Sequence, residues 1–196
     1  MTGKSWFSSL FFLINLQKDI GYLAHTWYLA TDMQLFLLSL LLLPLFAKRA
    51  ELTKFLIFTI IGFSVVERSL FHYMHDVPIE TSGMTNEKEV ESYITNMYVK
   101  PLTHVGPYLV GILFAFELNR SKGAINLSTP MSLFSCVIFV AQFLPPFINW
   151  SPVGSAIFAG TIRTLVAISL IWVINFCIKR PSSKQEKEFL LTHDIN

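Results

Sequence analysis

The 196-residue chain is 53% hydrophobic and only 14% charged, with a formal net charge of +2. That composition leaves too little polar surface to cover a water-soluble globule, and the few positive charges are too dispersed for a nucleic-acid-binding protein. What remains is an all-α, polytopic bundle of membrane helices.

The first apolar run, Trp6 to Leu16, lacks the basic n-region and small-residue cleavage site of a secretory signal. It is also too short to cross a hydrocarbon core of about 30 Å, which takes about 20 residues. Residues 1–26 are therefore expected to form an interfacial, extracytoplasmic segment. Five apolar windows follow, at 27–46, 52–66, 102–118, 131–148 and 156–178, and each is read as a membrane helix within a domain covering 27–178. The segment 179–196 is a charged tail.

The first window opens with WYLATDMQ, which puts Asp32 and Gln34 just inside the edge of an otherwise apolar helix. A carboxylate at membrane depth is costly unless paired or wetted, so its presence there asks for a use. Trp27 and Tyr28 read as interfacial anchors. After this helix come Lys48, Arg49 and Lys54, a cytosolic signature under the positive-inside rule. The second window leads out to Glu67, Arg68, His72 and His75. The two imidazoles have no third or fourth ligand in the pattern, so no metal site is expected.

The loop 67–101 carries Asp76, Glu80, Glu87, Glu89 and Glu91 and is read as translocated. It ends in YVKPLTHVGPYLVG, which brings Lys100, His104 and Tyr108 to the outer end of the third helix. Arg120 and Lys122 return the chain to the cytosol. The N-x-S sequons at Asn119 and Asn126 then face the cytosol, and the one at Asn149 is hemmed in by membrane and Pro152, so no glycan is expected. Pro145 and Pro146 should kink or break the fourth helix near its outer end. The fifth helix carries Arg163 about two turns in. Gly106, Gly111 and Gly160 read as close-packing positions between helices. Cys136 and Cys177 both lie in apolar runs with no disulfide or metal spacing. Lys179, Arg180, Lys184 and Lys187 make the tail cytosolic, so every connection agrees with an N-terminus outside and a C-terminus inside.

On this threading all ionisable groups at membrane depth gather at the outer end of the bundle. One account has Asp32 or Glu67 neutralising Arg163 or Arg68, with Lys100 snorkelling and the histidines solvated. The other is a wet cavity open to the outside or the lumen, where a polar acceptor is bound and a proton moved.

The blocks SWFSSLFFLINL, HTWYLATDMQLFLLSLLLL and YVKPLTHVGPYLVGILFAF, with Arg163 in TIRTLVAISLIWVI, resemble the nose resistant to fluoxetine family of the acyltransferase type 3 superfamily. The resemblance covers roughly residues 5–178. Three departures stand out: His104 where an arginine is commoner, Leu40 where a proline is common, and a charged tail where further helices would follow. The chain thus looks like a middle portion of the domain, without counterparts to an upstream catalytic histidine and its arginines. The resemblance implies acyl transfer from a thioester donor, acyl-CoA, to a hydroxyl or lipid acceptor, with no bound cofactor or metal. It leaves catalysis by this chain alone open.

Within that picture Asp32 and Gln34 would orient the acceptor, while Lys100, His104, Tyr108 and Arg163 would bind anionic groups or steady an oxyanion. His25 and Asp32 are the candidates for proton transfer. The alternative is a non-enzymatic protein that binds or transports lipids or hydrophobic small molecules through the same cavity. Membrane lipids are the expected partners, in the plasma membrane or the endoplasmic reticulum.

Overall fold

The structure, a computed structural model, describes residues 3–17, 26–75, 87–121, 125, 129–143 and 150–179. Among these the regular elements are all helical. They are α1 Gly3–Leu10, a 3-10 turn at Ile14–Leu16, α2 Trp27–Lys48, α3 Ala50–His75, α4 Glu87–Tyr93 continuing as a π-helical turn Ile94–Tyr98, α5 Pro101–Arg120, α6 Thr129–Ala141 and α7 Pro152–Lys179.

Four of these, α2, α3, α5 and α7, are long and apolar enough to cross a membrane. They run to 22, 26, 20 and 28 residues. The fifth expected span differs. α6 has 13 residues, about 20 Å at 1.5 Å per residue, and ends at Ala141. Gln142 and Phe143 follow as a turn, and the rest of that window, with Pro145 and Pro146, lies outside the described residues.

Helix ends follow local chemistry more closely than hydrophobicity. α7 starts at Pro152, four residues before the apolar window, because a proline in the first turn loses nothing and the Ser151 hydroxyl accepts the Gly154 amide at 3.1 Å. α5 likewise opens on Pro101, with Lys100 held extended at φ −75°, ψ 140°. α3 runs on to His75, well past Val66, so Arg68 and His72 are helical residues. Arg49 alone joins α2 to α3, which makes them an antiparallel hairpin. The N-termini of α2, α5 and α7 and the C-terminus of α3 meet at one end of the bundle, the end nearest the acidic connection.

The apolar core of Leu35, Leu42, Phe46, Ile57, Val105 and Leu109 lies between α2, α3 and α5, with Phe46 stacked on Phe116 at 4.2 Å. Elsewhere the usual distribution is inverted. Thr53, Ser64, Arg68, His72, Thr103, Thr164, Ser169 and Asn175 are buried, whereas Leu41, Phe55, Met74 and Leu133 stand more than half exposed. Polar groups inside and large apolar groups outside suit a bundle whose solvent is lipid.

Two of the three expected packing glycines behave as such. A Cβ on Gly160 would collide with Ser69 Oγ and come within 2.9 Å of the Val65 carbonyl, and one on Gly106 would meet Thr164 Oγ1 at 2.7 Å. These contacts seat α7 against α3 and α5. Gly111 faces open space, with nothing within 4 Å, so it is not a packing position. At the far end of the bundle Lys54 pairs with Glu117 at 2.7 Å and ties α3 to α5. There Asn175 also grips both backbone groups of Ile125, accepting its N–H and donating to its carbonyl, each at 2.8 Å.

Candidate functional site

The polar residues of the acidic-loop end divide into two groups with different work. The first is a fully partnered clamp. Asn15 and Gln34 exchange amide hydrogen bonds, Asn15 Nδ2 to Gln34 Oε1 at 3.0 Å and Gln34 Nε2 to Asn15 Oδ1 at 2.9 Å. Asn15 Nδ2 also reaches Thr31 Oγ1 at 3.0 Å, and Thr31 donates to the Val99 carbonyl at 3.3 Å. Lys100 Nζ donates to the Asn15 carbonyl at 3.0 Å. Gln34 Nε2 further holds the carbonyl of Phe12 at 2.7 Å, and Phe12 sits in the left-handed region at φ 57°. A bulky side chain rarely adopts that conformation, so the clamp is what keeps the turn after α1 in place. Ile14, Ala30 and Val99 form a buried apolar cluster beside it, with Phe12, Trp27 and Tyr98 packed against them.

The second group is aromatic and cationic, and it is built on the π-helical turn. Its wider winding ends at Tyr98, whose ring lies 5.1 Å from Trp27 of α2 and 6.0 Å from His104 of α5. The Arg163 guanidinium of α7 lies over the same ring, 5.1 Å from its centre. Tyr93 packs 6.3 Å from Tyr98 and 5.8 Å from His72. Tyr98 therefore joins residues from three long helices.

His104 Nε2 lies 2.8 Å from the Tyr98 carbonyl oxygen. A carbonyl only accepts, so Nε2 must carry the hydrogen, and in the neutral ring Nδ1 is left as an acceptor. Trp27 covers the ring at 5.3 Å. The charges of Arg163, Arg68 and Asp32 all act on it.

Arg68 is the least expected member. It is 2% exposed, and none of its three guanidinium nitrogens has a hydrogen-bond partner among the described residues. The charge of Arg163 repels it and that of Glu67 attracts it. Glu67 is its neighbour in sequence, but successive helical positions point about 100° apart, and no ion pair forms between them. The ion pairs found among the described residues join Lys54, Glu51, Glu117 and Arg120, all at the opposite end. An unpaired arginine costs about 2.5–3.5 kcal/mol at the centre of a membrane helix and less toward its ends, so a buried one without a partner asks for a use. Thr164 Oγ1 is a further buried group without a partner.

The structure thus redistributes the residues singled out in the sequence. His104 and Arg163 come together on Tyr98, and Asp32 stands exposed on α2 with its charge felt at His104. Gln34 and Lys100 belong to the clamp, and Tyr108 packs half-buried against the apolar core. His25 lies outside the described residues. The expected neutralisation of Arg68 or Arg163 by Asp32 or Glu67 is absent as a direct pair among those residues. Arg68, Tyr98 and Trp27 were not singled out as site residues. The signal for Arg68 was the four-residue spacing of Ser64, Arg68 and His72, which puts all three on the buried face of α3.

With this geometry in place, the comparisons with known proteins are informative. The chain is 29% identical over 161 residues to "Regulator of hypoxia-inducible factor 1" of Caenorhabditis elegans, an alignment covering 74% of this chain and 32% of that protein. It is 30% identical over 122 residues to "Nose resistant to fluoxetine protein 6" of the same organism, covering 59% of this chain and 15% of that protein. The chain therefore spans a third or less of the length of the curated relatives it matches. No solved structure matches it. Residues 2–190 match the acyltransferase domain family, type 3, and this membrane-associated acyltransferase family is the one to which the chain belongs.

Proposed function

We propose that the Tyr98 cluster forms the acceptor side of a membrane acyl-transfer site, with acyl-CoA as the thioester donor and a hydroxyl or lipid as the acceptor. The observation that carries this reading is the pinned imidazole of His104 beside Arg163 on one tyrosine ring. A neutral imidazole fixed through one nitrogen offers the other as a base of defined direction. The acceptor hydroxyl gives its proton to His104 Nδ1 as its oxygen attacks the thioester carbonyl, and a carbon–oxygen bond forms. Arg163 offsets the negative charge that gathers on the carbonyl oxygen. Collapse breaks the carbon–sulfur bond, and the departing sulfur recovers the proton from the imidazolium. Asp32 favours the transient imidazolium electrostatically.

The loop charges support α2, α3, α5 and α7 crossing the bilayer with this end on the non-cytosolic face, and the tail 179–196 in the cytosol. The test is thiol release from acyl-CoA by the purified full-length chain. His104→Gln should lower turnover by about 10²–10⁴-fold with little change in melting temperature. Equal rates for the variant would remove His104 from the chemistry. An inactive wild-type protein that retains a lipid would favour the non-enzymatic lipid-binding reading, which the unpartnered Arg68 also supports.

A further inference from the structure

Arg68 has no part in the proton and acyl movements above, yet it is the most deeply buried charge among the described residues. Its three guanidinium nitrogens have no acceptor among the described residues, and the packing of Gly160 on Val65 and Ser69 brings a second guanidinium, Arg163, to the same level of the bundle, where its charge acts on Arg68. Two like charges at one level of the bundle, with no carboxylate paired to either among the described residues, form a site that is incomplete without an anion. From this arrangement we propose that Arg68 and Arg163 hold the phosphate oxyanion of a membrane phospholipid headgroup.

Phosphate is favoured by the donor geometry and by depth. A guanidinium presents parallel N–H groups that match the edge of a phosphate, and two of them from different helices can grip its separate oxygens. Arg68 is seven residues from the end of α3, about 10 Å along its axis. α3 is about 39 Å long, close to the full thickness of a bilayer with its headgroups, so Arg68 lies near the base of the headgroup layer. The rings of Tyr98, Tyr93 and His104 border the arginines, with Arg163 over Tyr98 and both Tyr93 and His104 packed on that ring. This proposal stands whether or not His104 catalyses transfer, because it concerns binding alone.

The test compares the full-length chain and Arg68→Met in lipid-free detergent micelles, with phosphatidylglycerol, diacylglycerol or inorganic phosphate added. Phosphatidylglycerol should raise the melting temperature of the wild type and be retained through purification, as read by mass spectrometry. Diacylglycerol, with the same chains and no phosphate, should do neither. Arg68→Met should melt at a higher temperature than wild type when lipid-free, since it removes an unpaired buried charge, and should bind the phospholipid about thirtyfold more weakly or worse. If Arg68→Met does not fold, Arg163→Met carries the same comparison, with Lys48→Gln as the charge control. A variant that melts lower when lipid-free but keeps its phospholipid response would make Arg68 structural and overturn the proposal. Equal responses to diacylglycerol would overturn the phosphate, and equal responses to inorganic phosphate would overturn the lipid.

Discussion

Asp32 and Gln34 stand two positions apart on α2, and about 200° of helical rotation sends them to different surroundings. Gln34 turns toward Asn15 and becomes half of a reciprocal amide pair, whereas Asp32 remains exposed. Gln34→Ala should therefore destabilise the protein by about 1–3 kcal/mol, because the buried Asn15 amide is left short of partners. Asp32→Asn should cost less than about 0.5 kcal/mol, as exposed changes usually do. Chemical denaturation in detergent checks both. Lys100, which lies outside the helices, adds a pH signature: burial of its ammonium lowers its pKa from the usual 10.5. The unfolded chain then binds more protons in the window below 10.5, so stability should rise with pH there, and Lys100→Met should flatten that rise in melting curves. That these residues sit at the edge of the apolar layer was legible in the sequence. Their partners were not, because Asn15 lies 19 residues before Gln34 and 85 before Lys100, distances over which pattern carries no information.

At the scale of elements, α2, α3, α5 and α7 were legible because long apolar runs leave few alternatives. Their ends were less so. The Ser151–Pro152 cap and the continuation of α3 through Glu67–His75 are set by hydrogen bonding and burial, which hydropathy does not weigh. The helix contacts were half legible, since a glycine in a helix marks permission for close approach but not which neighbour uses it. Gly160→Ala forces α7 away from the Val65 carbonyl and Ser69 of α3, and should cost about 1–3 kcal/mol. Gly111→Ala meets nothing, and should be neutral or stabilise by up to about 1 kcal/mol through helix propensity. Paired thermal melts of the two variants read this difference directly.

At the scale of the whole molecule, one end of the bundle is tied by the Lys54–Glu117 pair and the Phe46–Phe116 stack. The other end holds Arg68, Arg163 and His104 with no carboxylate paired to them among the described residues. The gathering of polar groups at one end could be read from loop charges and helix direction. The choice of Tyr98 as the joint could not, because it depends on a π-helical turn that has no sequence signature here. The account requires that this end be wet and open to the non-cytosolic side. A chain in which Cys136 and Cys177 are replaced by serine, carrying His104→Cys, Arg163→Cys or Ile57→Cys, tests this in sealed vesicles of known sidedness with a membrane-impermeant thiol reagent. Cysteines at 104 and 163 should label from the non-cytosolic side while the one at the buried position 57 does not. Labelling of 104 and 163 from the cytosolic side alone, or from neither side, would contradict the account.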